Sequence, residues 1–299
     1  MKRPLVVLEG REQADRSAPT VPFRHLTTLW VQLTGTWCNL ECTHCINASG
    51  PEPWLKPLDG ETARGAIRAA ERLGVKEIYF TGGEPFLHRE ILPLLGWALE
   101  AAPTTVLTNG TAITGPVAHA LAVLAYRAPY SLEIRVSLDD VEPAANDRIR
   151  GTGAWAKAVQ AIDRLHRRGL LPIVTATEIS GGGVGTGGDL YERFRRFLLA
   201  LGIDKPRVKI MPVFPIGRMQ GGDGARLSDE GLEGFDTGLL QCSDARVVAD
   251  GGVYACPILA GLEGARLSTG SLEAAFRPAP LYHTACVTCH RTGMTCRNG

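Results

Sequence analysis

The chain has 299 residues, is 44% hydrophobic and carries 32 basic against 31 acidic side chains. It can therefore bury a large core and a small one, but it has no net field to draw it to nucleic acid or an anionic membrane. The opening MKRPLVVLEGRE has too short an apolar run for a signal peptide, and no apolar stretch approaches the ~18 residues of a membrane span. These features place it in the cytoplasm, without nucleic-acid or membrane partners, where clustered cysteines more often mark metal sites than disulfides.

Taken in chain order, apolar runs that read as buried strands lie at 29–33, 77–81, 105–108, 132–137, 172–177 and 208–211. The first five are each followed by room for a helix. The clearest helix covers 60–74: Asp59 caps it, Ala63, Ile67, Ala70 and Leu73 share one face, and Gly74 closes it. Others span 90–100, 154–168 and 190–201, with Arg193, Arg195 and Arg196 on a wet face. Alternation of this kind predicts an α/β fold with a parallel sheet under helices. Six units are too few for a closed eightfold barrel, so a partial (β/α)6 TIM-like barrel is expected. Residues 1–25 form an N-terminal segment, 26–218 the barrel, and 219–299 a small cysteine-rich domain with short helical pieces near 229–235 and 272–276. The glycine run at 181–188 reads as a flexible loop.

The chemistry concentrates where strands end. WCNLECTHC, residues 37–45, puts three of the eight cysteines in the loop after the first strand. A structural zinc site wants four closed ligands, which His44 would complete. Three thiols alone suit a cubane cluster with one iron left open. Thr81-Gly82-Gly83-Glu84-Pro85 follows the second strand and Thr108-Asn109-Gly110 the third, the latter an ordinary turn when read by itself. Ser137-Leu138-Asp139 ends the fourth, and beyond it Asn146-Asp147-Arg148-Ile149-Arg150-Gly151 ends in an arginine suited to a carboxylate or to plain solvent. Polar groups expected at the barrel mouth are Asn47, Glu178, Arg218 and Gln220. Glu178 is either a base or a solvated loop residue. His88 reads as a helix-start residue and Trp37 as packing. Near the C-terminus, apolar arms around Asp250-Gly251 predict a hairpin that carries Cys242 towards Cys256; Cys286, Cys289 and Cys296 follow. Two such pairs fit an iron-sulfur cluster or a structural zinc ion.

Cys38-Asn-Leu-Glu-Cys42-Thr-His44-Cys45 and the GGEP element together resemble the radical S-adenosylmethionine superfamily over about residues 28–218. The resemblance implies a 4Fe-4S cluster on Cys38, Cys42 and Cys45 whose open iron chelates the methionine of S-adenosylmethionine. His44 stands where the family usually has another aromatic residue, near the adenine. Gly82, Gly83, Glu84 and Pro85 would hold the methionine ammonium, Arg150 its carboxylate, and Thr108, Asn109, Ser137 and Asp139 would complete the cofactor site. Reductive cleavage would give a 5'-deoxyadenosyl radical that abstracts hydrogen from the substrate, with reduced flavodoxin or ferredoxin as electron donor. The C-terminal cysteines resemble the SPASM and Twitch group. Five are fewer than a full SPASM domain generally uses, so one auxiliary 4Fe-4S cluster is expected, held by Cys242, Cys256, Cys286 and Cys289, with Cys296 a replacement ligand or a thiol near the substrate. Such a cluster favours net oxidation, in which Glu178 would take a proton from the substrate radical. Fewer than about 30 residues precede the first strand, too few for an independent leader-recognition domain. This points to a small-metabolite substrate, with a peptide-modifying maturase as the alternative and a zinc-stabilised binding protein as the reading from another class.

Overall fold

Every residue of the first long strand, Thr28–Gln32, is buried, as a strand covered by helices on one face and side chains on the other must be. The computed structural model describes residues 18–179, 187–221 and 224–293. In chain order its elements are β1 (Thr20–Val21), β2 (Thr28–Gln32), α1 (Gly60–Arg72), β3 (Glu77–Thr81), α2 (Ile91–Ala101), β4 (Thr104–Thr108), α3 (Gly115–Arg127) and β5 (Leu132–Ser137). There follow α4 (Pro143–Arg150), α5 (Ala154–His166), β6 (Ile173–Thr177), α6 (Gly187–Ala200), β7 (Val208–Met211), β8 (Ala245–Ala249), β9 (Gly252–Tyr254), β10 (Arg266–Ser268), β11 (Ala279–Pro280) and α7 (Thr284–Thr292).

Strands β2 to β7 lie side by side in sequence order and all run parallel, joined by helices. This is the partial TIM-like barrel. The strands expected from the sequence agree with these to within a residue at either end. The Asp59 side chain accepts the Thr62 N–H at the start of α1, as its cap. Three helices were not anticipated, one of them the C-terminal α7. In α3, apolar residues run all round the sequence and blur the period, although the Thr114 side chain caps it and Pro116 follows. In α4 there are eight residues with no capping side chain.

Parallel register sets the lumen. Trp30 pairs with Tyr79, Tyr79 with Thr105, and Thr105 with Glu133, so these side chains form one inward row. The period of two puts Thr81, Leu107, Ser137, Thr177 and Met211 on the same side nearer the strand ends. In the lower row Trp30 stacks on Tyr79 with centroids 4.3 Å apart, and Glu133 accepts from Arg135 Nε at 3.0 Å and Arg207 Nη2 at 2.6 Å. The lumen is a filled floor, not a pore.

The boundary expected at residue 218 falls between β7 and β8, and the strands beyond it extend the same sheet. β8 runs parallel to β2, pairing Thr28 with Ala245 and Trp30 with Val247; β9 returns antiparallel through the anticipated Asp250-Gly251 turn, and β10 forms the edge. β1 pairs with β11, fastening the N-terminal part to the C-terminal part. Short single-turn helices stand at Glu230–Leu232 and Glu273–Ala275. Of the glycine-rich loop, residues 180–186 lie outside the described residues, as does Cys296; Gly187 and Gly188 open α6. Among the described residues no helix is long and apolar enough to cross a membrane.

Trp30 is 1% exposed at the centre of this floor. Trp30→Ala is expected to lower unfolding free energy by about 3–5 kcal/mol, measured by denaturant titration; a loss under ~1 kcal/mol would mean that the barrel floor collapses to fill the space.

Candidate active site

The three-cysteine loop leaves β2 and has little regular structure of its own. Trp37 bridges to Gly50, the Cys38 N–H donates to the Gly50 carbonyl at 2.9 Å, and Thr43 N–H donates to Ile149 of α4 at 2.9 Å. Two thiols also receive backbone donors, Leu40 N–H to Cys38 Sγ at 3.4 Å and Ser49 N–H to Cys45 Sγ at 3.3 Å. Arg218, expected at the barrel mouth, instead grips this loop from behind. Its guanidinium donates to the carbonyls of Cys42 (3.0 Å), Ala48 (3.3 Å) and Ser49 (2.7 Å), while its backbone N–H donates to Cys45 O at 3.0 Å.

Two glycines let other chains close on the loop. A Cβ on Gly83 would strike the Trp37 carbonyl and come within 2.8 Å of the Cys38 Cβ; one on Gly217, where φ is +66°, would strike the carbonyls of Cys45 and Ile46.

Above the lumen the loop encloses a cavity of about 230 Å³. Cys38, Cys42 and Cys45 line it together with His44, Asn47, Gly82, Gly83, Thr108, Asn109, Ser137 and Arg150; Ile46, Leu107, Met211, Pro212 and Phe214 supply an apolar wall. Among the described residues no three His, Cys, Asp or Glu side chains stand close enough to hold one metal ion. Thiols spread round a cavity fit a multi-iron cluster better than a single zinc ion. Burial pushes the Cys38 thiol up to about 12 and raises Cys42 too, against the pull of Arg150. A cluster loaded there would displace those protons, its irons adding to the positive charge that Arg150 brings to Cys42.

Two buried carboxylates stand behind the lining. Glu84 accepts from Thr108 Oγ1 (2.7 Å), Asn109 N–H (2.7 Å) and Phe86 N–H (3.0 Å), tying the end of β3 to the end of β4. Burial raises its carboxyl to about 7, opposed by those three donors. Asp139 meets His44 Nε2 at 2.6 Å and Arg150 Nε at 2.7 Å through one oxygen, and accepts Thr177 N–H at 2.8 Å through the other. Burial works to raise its carboxyl, but the Arg150 charge and the His44 bond hold it at about 2. The Arg150 Nε–H is not aligned for a hydrogen bond, so the guanidinium is held by charge while its edge lines the cavity.

Residues 33–198 match the Radical SAM superfamily. The chain belongs to it. The mycofactocin maturase MftC of Mycolicibacterium smegmatis is 26% identical to this radical SAM protein, over 88% of this chain and 75% of its own. Among solved structures, Streptococcus suis SuiB bound to S-adenosylmethionine is 16% identical, with a TM-score of 0.65 over 86% of this chain and 67% of that one; SuiB has also been solved with the precursor peptide SuiA. The protein anSMEcpe with bound AdoMet is 17% identical, with a TM-score of 0.62 over 83% of this chain and 80% of that one. These likenesses span more of the chain than the barrel alone.

The fold places the expected residues in three groups. Cys38, Cys42, His44, Cys45, Asn47, Gly82, Gly83, Thr108, Asn109, Ser137 and Arg150 line the cavity. Glu84, Pro85, Asp139 and Glu178 do not: Pro85 starts a single-turn helix, Glu84 and Asp139 lie wholly behind their neighbours, and half-buried Glu178 donates its N–H to Met211 O at 3.0 Å. Gln220 is exposed and away from the cavity. His88 Nε2 lies 3.0 Å from the Leu58 carbonyl oxygen, a structural contact.

Sequence reading missed Asn146, fully buried, whose Oδ1 accepts Asp139 N–H at 3.0 Å, and Asn39, whose Oδ1 accepts from Asn109 Nδ2 at 3.0 Å. The polar run around each was the available signal. The apolar wall from Met211 to Phe214 carried no motif. At the far end of β8 and β9, Cys242, Cys256 and Cys286 lie within each other's electrostatic reach, and Cys289 is one turn along α7 from Cys286.

Two outcomes follow. Asp139 sits at about 2 against an ordinary 3.8, so its contribution to stability is whole above about pH 4 and is lost as pH falls towards 2, by about 2 kcal/mol. In cluster-free protein Asp139→Asn should flatten that part of the acid unfolding profile; an unaltered slope would show the pair to be idle. Arg218→Ala should lose cluster iron several-fold faster during anaerobic gel filtration, with Arg218→Lys only partly restoring it, since an ammonium cannot span three carbonyls. Wild-type retention in the alanine variant would mean that the loop orders itself.

Proposed function

We propose that this radical SAM enzyme is a peptide-modifying maturase that oxidises its substrate with the help of an auxiliary 4Fe-4S cluster. The observation that carries the reading is the extent of the likeness: the mycofactocin maturase match covers 88% of this chain, and neighbours of the same fold have been solved with the precursor peptide SuiA and the Cp18Cys peptide. This supports the peptide alternative over a small metabolite.

Cys38, Cys42 and Cys45, which line the cavity together, would hold the cluster. The Gly82-Gly83 backbone would meet the methionine ammonium and the guanidinium edge of Arg150 its carboxylate, while His44 would flank the adenine and Ser137, Thr108 and Asn109 would take the remaining polar groups. Glu84 and Asp139 act one layer back, fixing Thr108, Asn109, His44 and Arg150. When bound, the cluster and S-adenosylmethionine would supply one-electron chemistry able to abstract hydrogen from a C–H bond, with reduced flavodoxin or ferredoxin as the electron donor. Ile46, Leu107, Met211, Pro212 and Phe214 keep water from the reacting carbon. Cys242, Cys256, Cys286 and Cys289 would hold the auxiliary cluster in the region after residue 218, which would supply a one-electron acceptor; Glu178, which stands outside the cavity lining, is given no part in the proton transfer.

Reconstituted enzyme given dithionite, S-adenosylmethionine and a synthetic peptide library should form 5'-deoxyadenosine together with peptides lighter by two hydrogens, read by liquid chromatography and mass spectrometry. Turnover of a small-metabolite mixture with every peptide left intact would overturn the peptide reading.

A further inference from the structure

Arg246 carries a buried positive charge that the barrel chemistry does not use. It lies on β8 and is fully buried. Its Nε donates to Ala275 O at 2.8 Å, Nη1 to Cys242 O at 2.8 Å and Ala245 O at 2.6 Å, and Nη2 to Arg277 O at 2.7 Å. The guanidinium carbon stands 4.0 Å from the centroid of Phe23, which itself stacks on Phe276. Every one of these hydrogen-bond partners is a neutral carbonyl oxygen.

A charge so enclosed is costly unless an anion stands near. The groups that feel it most are the thiols of Cys242 and Cys256, then Asp244, with Arg277 adding a second positive charge. Cys242 and Cys256 gain negative charge when they bind iron. A cubane held by four thiolates is a net anion, and it becomes more negative by one electron on reduction.

We propose that Arg246 is the built-in counter-charge of the auxiliary iron-sulfur cluster and that it raises the cluster's reduction potential. The inference rests on the cluster reading of the C-terminal cysteines given above. A fixed positive charge in a poorly polarisable interior stabilises the reduced cluster more than the oxidised one, which makes it the better acceptor. The carbonyl cradle holds the guanidinium in place, and its bond to Cys242 O orients the loop of one ligand. The side chain acts through the cluster, so it is a positioning residue.

The test uses the full-length chain with Cys38, Cys42 and Cys45 all changed to Ala, so that only the C-terminal site can carry a cluster. Iron and acid-labile sulfide are counted, and the midpoint potential is read by electron paramagnetic resonance during a redox titration, in this background and with Arg246→Gln or Arg246→Lys added. The expected result is a midpoint shifted to more negative potential in the glutamine variant and kept near the parent value in the lysine variant. An unshifted midpoint in a fully loaded glutamine variant overturns the counter-charge and leaves the cluster standing. Absence of iron and sulfide in the parent background overturns the cluster reading and this proposal with it. Should the glutamine variant fail to accumulate, Arg246→His decides: a midpoint that falls as pH is raised through the imidazole range, relative to the parent over the same range, supports the proposal, and a midpoint that follows the parent throughout overturns it.

Discussion

Three thiols that surround an inorganic cluster cannot be positioned by contact with one another, because the space between them belongs to the cluster. Here the loop that carries them is held from outside. Arg218 takes three of its carbonyls and gives its own N–H to a fourth, Ile149 takes one N–H, and two glycines let neighbouring backbone touch it without a side chain between. The remainder of the site depends on this grip. Cys42 is bonded to Arg218 through its carbonyl, and His44, two residues on, reaches Asp139.

Charge is arranged in layers about the same loop. The lining carries thiols, amides, hydroxyls and one guanidinium, and both buried carboxylates stand behind it. Glu84 spends its oxygens on the strand ends and Asp139 on His44, Arg150 and Thr177. A carboxylate placed there fixes geometry without adding its full negative charge to a cavity already ringed with thiols. On β8 the opposite charge is buried, the Arg246 guanidinium, supported on carbonyl oxygens that include that of Cys242.

Much of this was legible in the sequence. Parallel strands buried on both faces gave unbroken apolar runs, and the motif at each strand end marked a side of the cavity, since period-two alternation decides which residues look inward. What escaped reading were contacts made across long separations. Nothing local distinguishes Arg218 as a clamp on residues 42–49 from Arg218 as a pocket wall. Asn146 sits in the same polar run as Arg150, and only the folded turn between β5 and α4 shows that it holds the Asp139 backbone. Glu84 belongs to a recognisable motif, yet its three donors come partly from a different strand. Joining β8 to β2 was likewise invisible, because the change in composition after residue 218 says nothing about which sheet the next strand enters.

That pairing has a consequence for biosynthesis. β2, which feeds the cysteine loop, is flanked by β3 on one side and by residues 245–249 on the other, while β1 waits for residues 279–280. During translation, therefore, β2 keeps one open edge until residues 245–249 have emerged and β1 until residues 279–280 have, and Arg218 arrives late as well. Contacts of such long range form slowly, and unpaired edges invite association with other chains meanwhile. The cysteine loop therefore reaches its final shape only once residues some 170 positions further along the chain have folded back onto it.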